Sequence, residues 1–147
     1  MEITKDNIKE HLEDAFLLLG SFDFDGASLL FESVISEKEV FGTLPFSEQC
    51  VSREGYGIAL LNNEGRQEEA LEIIHDVYRE LSKYYGKNHP DTIAALHSLG
   101  CAYRTCGKKS EACGIFAYEV ALLQDDEGRM EERDKAEEAY LEIIHSM

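Results

Sequence analysis

The side chains best suited to chemistry in this chain are its four cysteines and five histidines. Three thiols, at Cys101, Cys106 and Cys113, follow one another at spacings of 5 and 7, which fit neither a CxxC motif nor the usual zinc patterns. Helical residues five positions apart point about 140° away from each other, so Cys101 and Cys106 do not face one metal ion easily. We therefore expect these three and Cys50 to be reduced packing thiols, with a redox pair as the alternative, and we expect no bound metal.

The histidines have no spacing typical of a metal site such as HExxH; they are His11, His75, His89, His97 and His145. His89 lies directly before Pro90 and is interpreted as a turn residue. The sequence contains no serine-hydrolase elbow, Walker phosphate loop or dinucleotide-binding fingerprint. No acid–base pair can be assigned among so many acidic residues. The sequence therefore predicts a protein that is not an enzyme and that uses no cofactor.

A formal net charge of −16 is the next constraint on function. An acidic surface repels phosphate backbones and anionic lipid headgroups, so we expect neither nucleic acid nor a membrane as a partner. The chain has no run of 18 apolar residues, and its first residues are polar and mixed in charge, unlike a secretory signal. A cytoplasmic location is the resulting expectation. The acidity itself favours solubility, with attraction of a basic partner as the functional alternative.

Apolar residues at helical spacing predict the elements that would position these side chains. Seven helices are expected, at about 6–19, 25–40, 47–62, 67–85, 92–106, 110–123 and 131–145. The two prolines, Pro45 and Pro90, both fall in expected turns. Gly55 and Gly57 count against the third helix, because each costs about 1 kcal/mol of helix propensity. At 147 residues the chain has the length of one domain.

The strongest pattern along the chain is a repeat of about 42 residues. Ala27, Ala70 and Ala112 are separated by 43 and 42 residues, and each follows a short polar turn and opens an apolar-periodic helix. A second set of markers has spacings of 44 and 42: Gly42, Gly86 and Gly128. Because a two-helix unit cannot bury its apolar faces alone, this period predicts hairpins that stack into a solenoid.

The third expected hairpin carries a specific motif, whose spaced residues are Leu96, Leu99, Gly100, Tyr103, Gly107, Ala112 and Phe116. This pattern resembles the framework of the tetratricopeptide repeat (TPR). Small residues at Gly100 and Ala112 would let the two helices of the hairpin approach closely. The larger residues of the motif would then fill the seam between them.

Two longer segments make the resemblance to TPR proteins more specific. The segments 64–71 and 85–91 read EGRQEEAL and YGKNHPD, and they resemble the lengthened repeats of kinesin light chains. The resemblance implies one all-α domain over residues 1–147, a right-handed α-solenoid with hairpins at about 6–40, 47–85 and 91–123 and a C-terminal capping helix at about 131–145. It also implies a concave face that receives a peptide or a partner helix.

The chain departs from the TPR pattern in places. In the first hairpin glycine comes early, at Gly20, and in the second Ile58 occupies the slot that Gly100 fills in the third. The branched Ile58 should hold its hairpin slightly wider. The last segment resembles the first helix of a fourth repeat whose second helix is missing. It could act as a cap, dock onto further repeats of a longer protein, or pair two copies of the chain as a homodimer.

In TPR proteins the first helix of each hairpin lines the groove. Transferring those positions by the resemblance gives a candidate peptide-binding groove: Phe16, Ala59, Asn62, Asn63, His97, Cys101 and Arg104. Small residues at its middle would leave room for a ligand side chain, and polar ones could hydrogen-bond a peptide backbone or a carboxylate. We expect Arg104 to reach toward Asn62 and Asn63. As the alternative, these are ordinary polar residues on exposed helix faces, and Phe16 belongs to the core.

Two functions follow from these observations. The leading one is a protein–protein interaction module that holds a peptide or a helix of an unidentified protein partner in the groove. The alternative is a structural or regulatory subunit, or an N-terminal fragment of a larger repeat assembly, that associates through its last helix.

Overall fold

A computed structural model describes residues 2–147 of the chain. In that range the chain forms eight α-helices and two single-turn 3-10 helices, with no strand. The α-helices are α1 (Ile8–Gly20), α2 (Phe24–Ser36), α3 (Lys38–Phe41), α4 (Phe46–Leu61), α5 (Gln67–Tyr85), α6 (Pro90–Thr105), α7 (Lys109–Leu123) and α8 (Met130–Ser146). The predicted all-α class is confirmed. The main departure is the expected helix at 25–40, which divides into α2 and α3 because Glu37 has a non-helical ψ of 71°.

The chain divides into two compact units, the first ending at Val77 and the second beginning at Tyr78. The division falls inside α5, so the chain passes from one unit to the next without a loop. The expectation of one domain over residues 1–147 stays a prediction. Within residues 2–147, no helix combines the length and the apolar content that crossing a membrane requires.

In the first unit, α1 and α2 form a hairpin and α2 also packs on α4. The buried side chains of this hairpin include Ile8, Leu12, Ala15 and Phe31. Both glycines of α4 lie at close contacts. A Cβ on Gly55 would lie 2.8 Å from Cζ of Phe31 and 2.9 Å from Cε1 of Phe16, and one on Gly57 would lie 2.7 Å from Cγ1 of Ile74. The residues that weaken α4 as a helix therefore allow its neighbours to approach.

In the second unit, α6 and α7 form a hairpin and α8 packs on α7. A Cβ on Gly100 would lie 2.7 Å from Cε1 of Phe116, and Ala112 and Phe116 are both fully buried. Leu99 of the same motif is also buried. Gly100 and Phe116 of the TPR motif thus meet as the resemblance implies. Ala112 and Phe116 belong to one apolar cluster. Two residues of α8 complete this apolar cluster, Ala139 and Ile143.

The structure shows a repeated helix start that the sequence patterns did not single out. The side chains of Asn63 and Asp126 each accept a hydrogen bond from the backbone N–H two residues later, at Gly65 (3.2 Å) and Gly128 (3.1 Å). Each cap begins a single 3-10 turn, Glu64–Arg66 or Glu127–Arg129. An ion pair of 2.9 Å then follows in both places, Arg66–Glu69 and Arg129–Glu132.

This helix start corrects the expected set of marker glycines. Gly42 has an ordinary helical φ of −64°, Gly86 follows α5 with a φ of 85°, and Gly128 belongs to the 3-10 turn before α8. The three positions are not equivalent, so the second marker set is wrong. The local counterpart of Gly128 is Gly65, which lies 63 residues earlier.

We expect Leu99→Ala to lower the free energy of unfolding by ~2–5 kcal/mol, because deleting buried methyl groups leaves a cavity that the neighbours fill only in part. Urea unfolding followed by circular dichroism measures the change. The matched control is Leu29→Ala on the exposed face of α2, which we expect within about 0.5 kcal/mol of wild type. Equal effects of the two substitutions would show that the repeat register is wrong.

Candidate functional site

A cavity of about 220 Å³ opens on the second unit, between side chains of α6, α7 and α8. Its lining residues are Ile93, Ala94, His97, Glu119, Glu132 and Lys135. The volume suits a single amino-acid side chain rather than a large ligand. Apolar walls with a few placed polar groups are typical of small binding sites.

The start of α6 positions one wall of this cavity. His89 is the N-cap of α6, and its ring Nδ1 accepts a hydrogen bond of 3.1 Å from the backbone N–H of Asp91, in agreement with its interpretation as a turn residue. Pro90 occupies the first turn, where its missing N–H and fixed φ suit a helix start. Ile93 and His97 are four residues apart and therefore lie above one another on one face of α6.

Glu119 is the most unusual residue of the cavity, because its side chain is only 3% exposed. Its Oε1 lies 2.9 Å from Nδ1 of His97, whose side chain is 35% exposed. Hydrogen bonds to Cys101 and to Glu119 raise the pKa of His97 to about 10, so the ring is protonated at neutral pH. The imidazolium compensates a carboxylate that would be costly to bury without a partner.

The rim of the cavity carries one further ion pair and one cation. Glu132 pairs with Arg129 at 2.9 Å, and Arg129 also donates a hydrogen bond of 3.2 Å to the carbonyl of Asn88. No ion pair is shown for Lys135 within residues 2–147. Because the two ion pairs are each neutral, Lys135 gives this cavity a local positive charge in a chain whose net charge is −16.

Arg104 is held by contacts within the second unit. Its Nη1 lies 3.6 Å from Oε2 of Glu142, its Nη2 donates to Sγ of Cys101 at 4.0 Å, and its Cζ lies 5.6 Å from the centre of the Phe116 ring. The guanidinium is therefore held by contacts with these three residues, and the expectation that it reaches toward Asn62 and Asn63 stays a prediction.

The candidate residues of the first unit are mostly engaged locally. Ala59 is 1% exposed, so its side chain lies in the core of the first unit, and its expected contact with a ligand stays a prediction. The amide of Asn62 donates to the carbonyl of Ile58 at 3.1 Å, and the side chain of Asn63 caps the following 3-10 turn. Phe16 is partly exposed and makes an edge contact with a core ring at 5.0 Å between centroids.

Of the seven candidate groove residues, the structure gathers His97, Cys101 and Arg104 on α6 and places the other four in the first unit. Sequence reasoning missed Glu119 and Lys135. A signal for Glu119 existed, because it lies in register with the buried stripe of α7, which comprises Ala112, Phe116 and Leu123. No sequence signal pointed to Lys135, because an exposed lysine on a helix is ordinary.

The thiols and carboxylates show no further site. None of the four cysteines forms a disulfide within residues 2–147. Among residues 2–147, no three His, Cys, Asp or Glu side chains are arranged to hold a metal ion.

The His97–Glu119 pair should make stability depend on pH. The pKa of His97 is raised on folding, so its contribution is complete below the unfolded value near 6.5 and is lost as pH rises through about 10. Between these values, wild type should lose about 1 kcal/mol more stability than His97→Gln, a figure reduced for the solvent screening of a partly exposed ring. Urea unfolding at several pH values measures the difference.

The same experiment on Glu119→Gln supplies the control. This variant keeps the shape of the side chain and removes its charge, so its pH dependence should be weaker than that of wild type, although the hydrogen bond between His97 and Cys101 remains. Parallel curves for wild type and both variants would contradict the ion pair.

Comparison with known proteins supports the fold. The sequence matches no protein-family model and gives no significant match to a curated protein. Among solved structures, the chain is similar to TPR-like repeats described as those of a kinesin light chain from Podosopora anserina, with a TM-score of 0.70 and 22% identity over 99% of this chain and 75% of that one. A variant of that protein has a TM-score of 0.71 and 21% sequence identity at the same coverage. A TPR-like protein from Chlorobium tepidum has a TM-score of 0.68 and 18% sequence identity over 93% of this chain and 94% of that one.

At these identities the likeness concerns the fold and carries no activity with it. The resemblance drawn from the repeat motif is confirmed at that level: this chain has the all-α, TPR-like repeat fold of the solenoid proteins to which it is similar.

Proposed function

We propose that this protein is a protein–protein interaction module that holds a peptide or a helix of a partner against the first helices of its hairpins. TPR-like folds commonly serve as interaction modules, although a fold alone does not determine function. The observation that carries the proposal is the cavity at His97. It lies on α6, the first helix of a hairpin, where the resemblance places ligand contacts. We expect no catalytic activity, a cytoplasmic location, and neither nucleic acid nor a membrane as a partner.

The ion pair of His97 and Glu119 supports this proposal because it fixes the cavity before a ligand arrives. Glu119 holds the His97 ring at 2.9 Å, and the ring packs against Phe116 at 5.3 Å between centroids. A side chain that is already ordered loses little entropy when a ligand binds. This is the arrangement expected of a recognition pocket and not of a solvated helix face.

The charge of the cavity indicates the chemistry of the ligand. Lys135 is available for a carboxylate or for backbone carbonyl groups, while Ile93 and Ala94 offer apolar walls. The acidic remainder of the surface attracts basic groups. A peptide of mixed charge, with an acidic or carbonyl anchor in the cavity, satisfies both features. In the first unit, Phe16 and Asn62 stay candidates for additional contacts.

We expect Lys135→Ala to weaken partner capture by about tenfold, the effect of removing an anchor of a small interface. The measurement is a quantitative pull-down from the native host with wild type and variant side by side. Lys87→Ala is the matched control, because it removes the same charge from an exposed residue outside the cavity.

Arg104→Ala tests, in the same pull-down, whether Arg104 also contacts the peptide. Its effect should be smaller than that of Lys135→Ala, because Arg104 is already paired with Glu142. Recovery of the same partners in equal amounts by the wild type and all three variants would refute the groove.

The alternative function, association through the last helix, has its own observation. Leu141 and Ile144 are exposed on α8, and a shallow depression there is lined by Leu141 and five polar residues: Asp134, Glu137, Glu138, Glu142 and His145. A homodimer through this acidic face would bring like charges together, so a partner protein or further repeats suit it better. Light scattering that gives twice the monomer mass, reversed by Leu141→Glu, would favour the homodimer over the groove as the main contact.

A further inference from the structure

The turn after α1 contains a strained residue that the groove does not involve. The backbone N–H of Asp23 donates to the carbonyl of Leu18 at 2.9 Å, and that of Phe22 donates to the carbonyl of Leu19 at 3.1 Å. This pair of bonds defines a Schellman motif, in which the residue with positive φ is usually glycine. Here that residue is Phe22, with a φ of 64°.

The second unit contains the same turn with glycine in it. The N–H of Lys108 donates to the carbonyl of Tyr103 at 2.9 Å, and that of Gly107 donates to the carbonyl of Arg104 at 3.0 Å. Gly107 has a φ of 79° and lies 85 residues after Phe22. The repeat anchors Ala27 and Ala112 are separated by the same 85 residues. Two equivalent turns of one chain therefore differ in whether the strained position carries a side chain.

The Phe22 side chain makes few contacts within the fold that could offset the strain of its backbone. An L-residue with a side chain is disfavoured at positive φ relative to glycine, yet the Phe22 side chain is 78% exposed. Its ring touches the half-buried Phe24 at 6.0 Å between centroids, and Leu17, in the last turn of α1, is 69% exposed. We call Leu17, Phe22 and Phe24 the turn patch. The fold does not require an aromatic ring at this turn, because Gly107 forms the same turn without one.

The chain segment that contains the turn patch is acidic. Residues 10–37 contain no lysine or arginine and seven carboxylates: Glu10, Glu13, Asp14, Asp23, Asp25, Glu32 and Glu37. Glu32 is paired with Arg66 at 3.7 Å. A second copy of this chain would bring the same acidic rim against itself, and an anionic membrane would be repelled. The partner that fits has apolar side chains flanked by lysine or arginine.

We propose that the turn patch is a docking site for a basic, amphipathic helix of a partner protein, with Phe22 as its anchor. Aromatic side chains dominate the energy of small interfaces, and a ring held away from the core at a rigid turn is presented without further ordering. This surface shares no residue with the cavity at His97, so the proposal does not depend on the proposed groove.

The test uses the full chain and a labelled synthetic helix of leucine and lysine, with binding followed by fluorescence anisotropy. Phe22→Gly should raise the urea midpoint of unfolding, because it relieves the backbone strain, and should weaken peptide binding by about tenfold. Leu29→Ala is the control, since it removes an exposed apolar side chain from the same hairpin outside the turn patch. It should leave binding unchanged.

Each result decides the proposal. Phe22→Gly does not alter the charge, so a general attraction between acidic protein and basic peptide would persist in it at full strength and would overturn the docking site. Equal losses in Phe22→Gly and Leu29→Ala would do the same, because they would show unspecific apolar contact. A lower unfolding midpoint for Phe22→Gly would mean that the ring serves the fold. Loss of binding together with a raised midpoint supports the site, whatever the outcome for Lys135→Ala.

Discussion

The close approach of paired helices at residues without a side chain is the constraint on which the rest of this structure depends. In the second unit the Phe116 ring occupies the space beside Gly100, so close that a Cβ there would lie 2.7 Å from it. The same ring lies 5.3 Å from the His97 ring and 5.6 Å from the guanidinium carbon of Arg104. The Phe116 side chain thus contacts both the seam between α6 and α7 and the polar side chains of His97 and Arg104 on α6. Because interiors are densely packed, the geometry of the cavity follows from the seam.

The fold could be predicted from the sequence because periodicity and motif report burial directly. Even α4 forms where expected, although Gly55 and Gly57 oppose it by about 1 kcal/mol each, since the contacts that they allow offset the lost propensity. The break at Glu37 and the helix start at Asn63 could not be predicted in the same way. The first depends on the backbone angles at Glu37 and the second on a hydrogen bond that the Asn63 side chain accepts from Gly65, and neither leaves a trace in the apolar pattern.

The site was predictable only in part, for a related reason. The register of α6 correctly put His97, Cys101 and Arg104 along one helix. Their partners come from α7 and α8, and nothing in a single sequence states how those helices are rotated against α6. That rotation pairs Arg104 with Glu142 and leaves Lys135 at the cavity. A charged residue within the buried stripe of α7 was the one readable sign of the pairing, because such a residue needs a partner.

Arg129 connects α6 and α8 of the second unit through polar contacts outside its apolar core. Its two ends bind the carbonyl of Asn88, directly ahead of α6, and the carboxylate of Glu132 in α8. Arg129 therefore links the beginnings of α6 and α8, two helices that are not consecutive in the chain. A lysine has no planar fork with which to hold both partners at once. The start of α8, which carries Glu132 and Lys135 of the cavity lining, is therefore tied to the start of α6 by polar contacts as well as by the apolar seam.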